Sequence, residues 1–311
     1  MMVLIGGGGF LGTHVRSLLA QRGVGDVAVV ARNPASATST GREIWLSSRE
    51  FEAEPGDRLI EAARCIVCLA TASVPSTFAR EPWNEVQENV YPMMRLLDRI
   101  ATRNDRVRLV YLSSGGTVYG QVKTTVPLTE QEPLAPISAY GLGKVMIEQA
   151  VCFTGRTKAM RYSILRVANP VGIHAHESAQ GLVVAALRAI CTQIPLDIFG
   201  DGSHVRDYLD ADDVAEAILA AAGDRERSGA VWNVGSGQGR SNMDILKLVG
   251  RVAQRPVPFR FVPARGIDVA RVVLDCAKIK DDLGWRARRD LFDTITAMWQ
   301  AKRALLPASL H

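Results

Sequence analysis

The chain has 311 residues, a formal charge of +5 and 47 % apolar residues, enough for one large α/β unit or two fused lobes around a full core. No apolar run approaches the ~20 residues of a membrane span, and no dense basic run marks a nucleic-acid surface, so neither a membrane nor nucleic acid is an expected partner. Only seven of the 37 basic residues are lysine; arginine, whose planar fork fits phosphate, supplies the rest and points to a phosphorylated small molecule.

In chain order, Met2-Val3-Leu4-Ile5 reads as a buried strand. It has no basic stretch before it and runs straight into glycines, unlike a secretory leader. Gly6, Gly9 and Gly12 form G-x-x-G-x-x-G, with Phe10 and Leu11 opening a helix over 10–21. Glycines let the backbone approach a pyrophosphate, and the free N–H groups and positive dipole end of the helix face it. A second strand is expected at 27–31, followed by Arg32-Asn33, where a dinucleotide site meets the adenosine ribose. An acid there would accept from the ribose hydroxyls; Arg32 suits a 2′-phosphate instead, which favours NADP over NAD, although an arginine can also stack on adenine beside NAD. A weaker third strand follows at 44–46, then strands at 65–70, 107–112 and 162–167, with helices over 59–63, 84–103 and 139–153. The alternation implies a Rossmann-type doubly wound parallel sheet. After Asn169-Pro170 the rhythm changes: a helix is expected over 181–192, a short strand at 195–199, a helix over 212–222 and a strand at 231–234, and the remainder is expected to be irregular, completing a smaller C-terminal substrate-binding lobe. The expected division is a dinucleotide-binding domain over 1–168, with a return strand near 231–234, and a substrate lobe over 169–311.

Five cysteines, an odd number, fit free thiols in a reducing cytoplasm. Cys65 and Cys68 lie in one strand and point to opposite faces. His174 and His176 alternate in a loop with no further ligand nearby in sequence, so no metal site is expected.

Tyr140 and Lys144 stand one helical turn apart, on one face. A lysine ammonium beside a phenol favours the phenolate, which makes the pair an acid/base site. With the glycine opening it defines an oxidoreductase-type centre. Ser113-Ser114-Gly115-Gly116-Thr117-Val118-Tyr119-Gly120, Leu165 to Gly172, Phe199 to Tyr208, Arg265-Gly266-Ile267-Asp268 and Leu283-Gly284-Trp285 follow in order. Together these strings resemble the extended short-chain dehydrogenase/reductase family, in its NAD-dependent epimerase/dehydratase branch with the UDP-glucose 4-epimerase-like pattern.

The resemblance implies a cytoplasmic homodimer acting on a nucleotide-diphosphate sugar, most often a UDP-sugar. It extends the cofactor site to Leu69, Ala70 and Asn89. It assigns Asn169, Arg206 and Arg265 to the diphosphate, Asp268 to the ribose or to orienting Arg265, and Val272 to the wall beside the sugar 2-substituent. Two departures stand out. The family's catalytic-loop Ser or Thr is Gly115, leaving Thr117 and Ser114 as hydroxyls, with Thr117 favoured. Cys68 and Ser73 replace a histidine and a lysine of the epimerase pattern. The expected activity is UDP-hexose or UDP-N-acetylhexosamine 4-epimerisation through a 4-keto sugar. The alternatives are an NADPH-dependent 4-keto-sugar reductase and a non-catalytic cofactor- or sugar-nucleotide-binding protein. A 4,6-dehydratase is disfavoured because Gly115-Gly116-Thr117 contains no acid.

Overall fold

Strand alternation decides which side of the sheet each side chain meets. The computed structural model describes residues 1–34, 43–122, 124–174, 181–266 and 268–304. Its strands are β1 (Met2–Ile5), β2 (Val27–Ala31), β3 (Glu43–Ser47), β4 (Cys65–Cys68), β5 (Arg108–Ser114), β6 (Arg161–Val167), β7 (Asn169–Val171), β8 (Leu196–Phe199), β9 (Val205–Asp210), β10 (Ala230–Val234), β11 (Gly239–Ser241), β12 (Phe259–Val262) and β13 (Arg271–Val272). Seven of them form one parallel sheet in the order β10-β6-β5-β4-β1-β2-β3. The order reverses between β1 and β4, and such a reversal opens a crevice at the carboxyl ends of the strands.

The helices are α1 (Phe10–Gln21), α2 (Ser48–Phe51), α3 (Glu54–Ala62), α4 (Trp83–Glu85), α5 (Tyr91–Arg103), α6 (Ala139–Lys158), α7 (Leu182–Thr192), α8 (Ala211–Gly223), α9 (Asn242–Ala253), α10 (Ala277–Leu283) and α11 (Leu291–Arg303). On β5, Leu109 and Tyr111 pack under α3, α5 and α6, while Val110 and Leu112 pack under α1 and α8. Cys65 and Cys68 divide between the same two layers. Burial pushes their thiols up to about 12 and about 11, so both are inert packing groups. None of the helices among the described residues is long and apolar enough to cross a membrane.

The expected helix over 84–103 is interrupted. A π-turn, Val86–Val90, separates α4 from α5. Pro92, which has no N–H to give a carbonyl one turn back, stands just beyond it. Such turns mark functional places more often than their rarity would give.

The expected helices over 181–192 and 212–222 and the strands at 195–199 and 231–234 are present as α7, α8, β8 and β10, and the chain beyond them, expected to be irregular, is regular as well. The first half of β9 lies between β11 and β13, and its second half pairs with β7. Helices α7, α9 and α11 enclose a third core with Val171, Ile198 and Tyr208. Regular starts were present in the sequence: Ser241 and Asp244 form a capping box, and Asp290 caps α11. Helix α8 and strand β10 return to the main sheet, α8 packing on α1.

A buried polar knot joins the elements above the crevice. Arg166 on β6 donates to both oxygens of Glu148 on α6, the shortest contact being 2.8 Å, and to the Tyr119 hydroxyl at 3.1 Å. Ser113 on β5 donates to the same carboxylate. The Tyr119 hydroxyl donates to Asn233 Oδ1 at 2.6 Å. On the outer surface of α5 and α6, Tyr91, Met94, Leu142, Met146 and Phe153 stay exposed, while Val90, Met93, Leu97, Ile147 and Val151 fill the core beneath.

Candidate active site

The crevice begins at the glycine turn between β1 and α1. Gly6 holds φ +84°, and a Cβ there would stand 2.7 Å from Ala70 N. Gly12 packs on Gly7, where a Cβ would meet Gly7 O at 2.4 Å. Only Gly can occupy either place. Gly9, by contrast, is open to solvent and caps α1 without a side-chain hydrogen bond, and the first turn carries no acid. That leaves uncapped N–H groups at a positive dipole end, a cradle that accepts a phosphate. Leu69 follows β4 directly, its N–H bonded to Ile5 O at 2.8 Å, so Leu69 and Ala70 form the floor beside Gly6.

Arg32 and Asn33 lie just past β2, both exposed. Trp45 on β3 comes close to the glycine turn: a Cβ at Gly8 would be 3.6 Å from its ring. Arg16 stacks over Trp45 at 4.5 Å and grips Glu43 with two hydrogen bonds of 2.8 and 2.9 Å. This Arg16–Glu43–Trp45 group was not anticipated, because Arg16 is far from the other two in the chain and none belongs to a motif.

On the other side of the crevice, Ser138 caps α6 by accepting from Gly141 N at 3.1 Å, which sets Tyr140 in the first turn. Lys144 is 5 % exposed. Its Nζ donates to Leu112 O at 2.9 Å and lies 5.1 Å from the Tyr111 ring and 5.6 Å from the Tyr140 ring. A buried ammonium fixed by a carbonyl and two rings has one place to be. Tyr140 itself is half-buried and reachable.

The loop after β5 explains the missing hydroxyl. A Cβ at Gly115 would stand 2.5 Å from Leu274 Cδ1 and 2.9 Å from Arg166 O, so Leu274 has taken the space a serine would need. Thr117 Oγ1 is buried and makes no hydrogen bond. With no protein partner, this hydroxyl is available to hydrogen-bond a ligand. Ser114 and Asn169 border Gly116, where a Cβ would be 4.0 Å from Ser114 Oγ and 3.9 Å from Asn169 Nδ2.

Asn169 Nδ2 donates to Asp207 O at 2.9 Å, tying β7 to β9. Arg206, next along β9, is half-buried and donates to Val205 O at 2.9 Å. Burial disfavours its charged form, and Tyr208 and Asp268 oppose that. Arg265 lies over Phe199 at 3.9 Å and donates to both oxygens of Asp268 at 2.8 Å, so Asp268 orients Arg265. Val272, expected on an open wall, is instead 1 % exposed and packed in the sheet-side core opposite Arg206 in register. His174 packs edge-on to His14 at 5.1 Å, and His14 Nδ1 meets Asp212 Oδ1 at 2.5 Å; His176 lies outside the described residues.

The family model of the NAD dependent epimerase/dehydratase family matches residues 2–235. The chain belongs to that family. It is similar to the UDP-glucose 4-epimerase of Lactobacillus helveticus, with 27 % identity over 319 residues, 95 % of this chain and 94 % of that one. Among solved structures it is similar to the UDP-glucose 4-epimerase of Thermotoga maritima with UDP-glucose, with a TM-score of 0.86, 28 % identity and coverage of 98 % and 99 %. It is likewise similar to the Thermus thermophilus UDP-glucose 4-epimerase in complex with NAD, with a TM-score of 0.86, 25 % identity and coverage of 98 % and 100 %. In this member of the epimerase/dehydratase family, Thr117 should behave unlike an ordinary buried threonine. Thr117→Val removes an unsatisfied hydroxyl, so urea unfolding should show equal or higher stability. Turnover should nevertheless fall about tenfold, the worth of one good hydrogen bond. Full turnover in the Val variant would remove Thr117 from the site.

Proposed function

We propose that this protein is a UDP-sugar 4-epimerase, acting on a UDP-hexose or UDP-N-acetylhexosamine. The observation that carries the reading is the buried Lys144, fixed on Leu112 O beneath Tyr140 and facing a crevice with an open glycine cradle. The similarity to UDP-glucose 4-epimerases over nearly the full chain supports it.

Gly9, Phe10, Leu11 and the turn before them would hold the dinucleotide pyrophosphate, with Leu69 and Ala70 below and Lys144 beside the nicotinamide ribose. The bound dinucleotide supplies reversible hydride exchange with the sugar C4. The chain moves the proton. Tyr140 Oη takes it from the 4-hydroxyl and later returns it, and Lys144 stabilises the phenolate meanwhile. Thr117 holds the same sugar oxygen. Arg206 and Arg265, with Asn169, bind the diphosphate. Epimerisation needs the 4-keto sugar to present its other face, so the tight contacts belong on the diphosphate and not on the sugar.

Arg32 extends the proposal to the cofactor. It stands exposed where the adenosine ribose would lie, and we assign it to a 2′-phosphate. The exposed stripes of α5 (Tyr91, Met94) and α6 (Leu142, Met146, Phe153) extend it to assembly, as the faces that pair two copies.

Proton NMR of purified protein with UDP-glucose should show interconversion of the 4-epimers with only catalytic cofactor. Tyr140→Phe should slow it by about 10² to 10⁴ with cofactor affinity nearly unchanged; product in stoichiometric exchange for NADPH would identify a reductase instead. In calorimetry NADP(H) should bind more tightly than NAD(H), and Arg32→Asp should reverse the order; a wild-type preference for NAD(H) would leave Arg32 a solvated residue. Light scattering at micromolar protein should give a dimer, and Met146→Glu a monomer that keeps its fold. A monomeric wild type would dismiss the helix pairing.

A further inference from the structure

Beside the Tyr140/Lys144 helix lies a buried carboxylate that the reaction above does not use. Glu85, the last residue of α4, is 2 % exposed. Its Oε1 accepts from Asn89 Nδ2 at 3.0 Å, and its Oε2 is buried without a hydrogen-bond partner. Asn89, inside the π-turn, also donates to Ser73 Oγ at 3.0 Å and accepts the Ala72 N–H at 2.8 Å. Its amide is thereby committed to Glu85 and to the loop after β4. On the other side Glu85 presses on α6: a Cβ at Gly143 would stand 2.5 Å from Glu85 Oε1. Gly143 immediately precedes Lys144. One side chain therefore spaces the cofactor-side loop from the helix that carries the acid/base pair.

Charge gives Glu85 a second role. The titratable groups around this pocket are Lys144, Tyr140 and Glu148 on α6, Tyr111 on β5 and Cys68 on β4. Burial pushes Tyr111 and Cys68 up, so both stay neutral. Glu148 is engaged by Arg166 and Ser113. That leaves Glu85, pressed on Gly143 next to Lys144 in the chain, as the carboxylate of this pocket not engaged by an arginine. Burial holds its carboxyl above the ordinary carboxylate range, and Lys144 and Asn89 offset only part of that.

Resting on the reading of Tyr140 and Lys144 as the proton-transfer pair, we propose that Glu85 is a positioning residue. It pins the loop after β4 to that helix and offsets the Lys144 charge, and so sets the pH range in which Tyr140 works as a base. A negative charge near a phenol opposes the phenolate, and a nearby ammonium favours it. Removing the carboxylate leaves the ammonium unopposed.

The test is Glu85→Gln, whose side-chain oxygen still accepts from Asn89. The phenolate absorbance lost on Tyr140→Phe is titrated with pH in NAD-loaded protein, with Glu or Gln at position 85. The midpoint should fall by about one pH unit in the Gln variant, the size of effect a single nearby charge produces. The rising limb of the kcat–pH profile should move with it, and the NAD dissociation constant should stay within about twofold, well under the tenfold that 1.4 kcal/mol represents. Should Glu85→Gln fail to fold, Glu85→Met fills the same space against Gly143 without charge and is titrated in its place. An unmoved midpoint, or a kcat lowered at every pH with the limb in place, overturns the proposal. The absorbance titration needs no turnover. Wild-type protein inactive on every UDP-sugar would therefore sink the epimerase reading and leave this result standing.

Discussion

The upper wall of the crevice depends on one buried ion pair, Arg166 with Glu148. Its two partners sit on β6 and α6, Ser113 binds it from β5, and Tyr119 carries it into the loop that holds Thr117. Those elements carry Tyr140 with Lys144 and the hydroxyl loop, and β6 runs on directly into β7, which begins at Asn169. Taking two charges out of water is costly, and a satisfied network recovers that cost only when its geometry is fixed. The pair therefore acts less as a source of stability than as a fixed dimension. Removing one partner from such a pair costs about 3–5 kcal/mol, because the other charge is left buried.

The lower wall works by the absence of side chains. Gly6 lets β1 approach the end of β4, and Gly9 leaves the N-terminus of α1 uncovered. Under the proposed function, arginines placed farther along the chain would meet the substrate diphosphate with positive charge. Arg265 is held by Phe199 below and Asp268 beside it, so its fork is already oriented.

Much of this was legible in the sequence. Glycine spacing, the Tyr/Lys pair and short apolar runs placed α1 with the right ends and the strands 27–31, 44–46, 65–70, 107–112, 162–167 and 231–234 close to β2, β3, β4, β5, β6 and β10, because those features act over a few residues. The lobe after residue 240 was read as irregular although Ser241, Asp244 and Asp290 announced helices there. Glu85 and the Arg16–Glu43–Trp45 group were invisible for a different reason. Their meaning comes from partners on other elements, such as Gly143 for Glu85 and the glycine turn for Trp45. Val272 belongs to the same class: its place in the strings implied a pocket wall, and only its burial in the sheet-side core reveals that it is packed.

The contact between Gly115 and Leu274 constrains how this chain can change. A serine at position 115 would meet Leu274 Cδ1 and Arg166 O well inside contact distance. Leu274 is completely buried, and shrinking it alone would open a cavity in the core. Each single step is unfavourable while the two together relieve one another, so the positions are epistatic and their effects should not add. A lineage that has settled on glycine and leucine here is held there by its own packing. If Thr117 carries the hydroxyl role proposed above, that role is held at 117 by packing that keeps a side chain out of position 115.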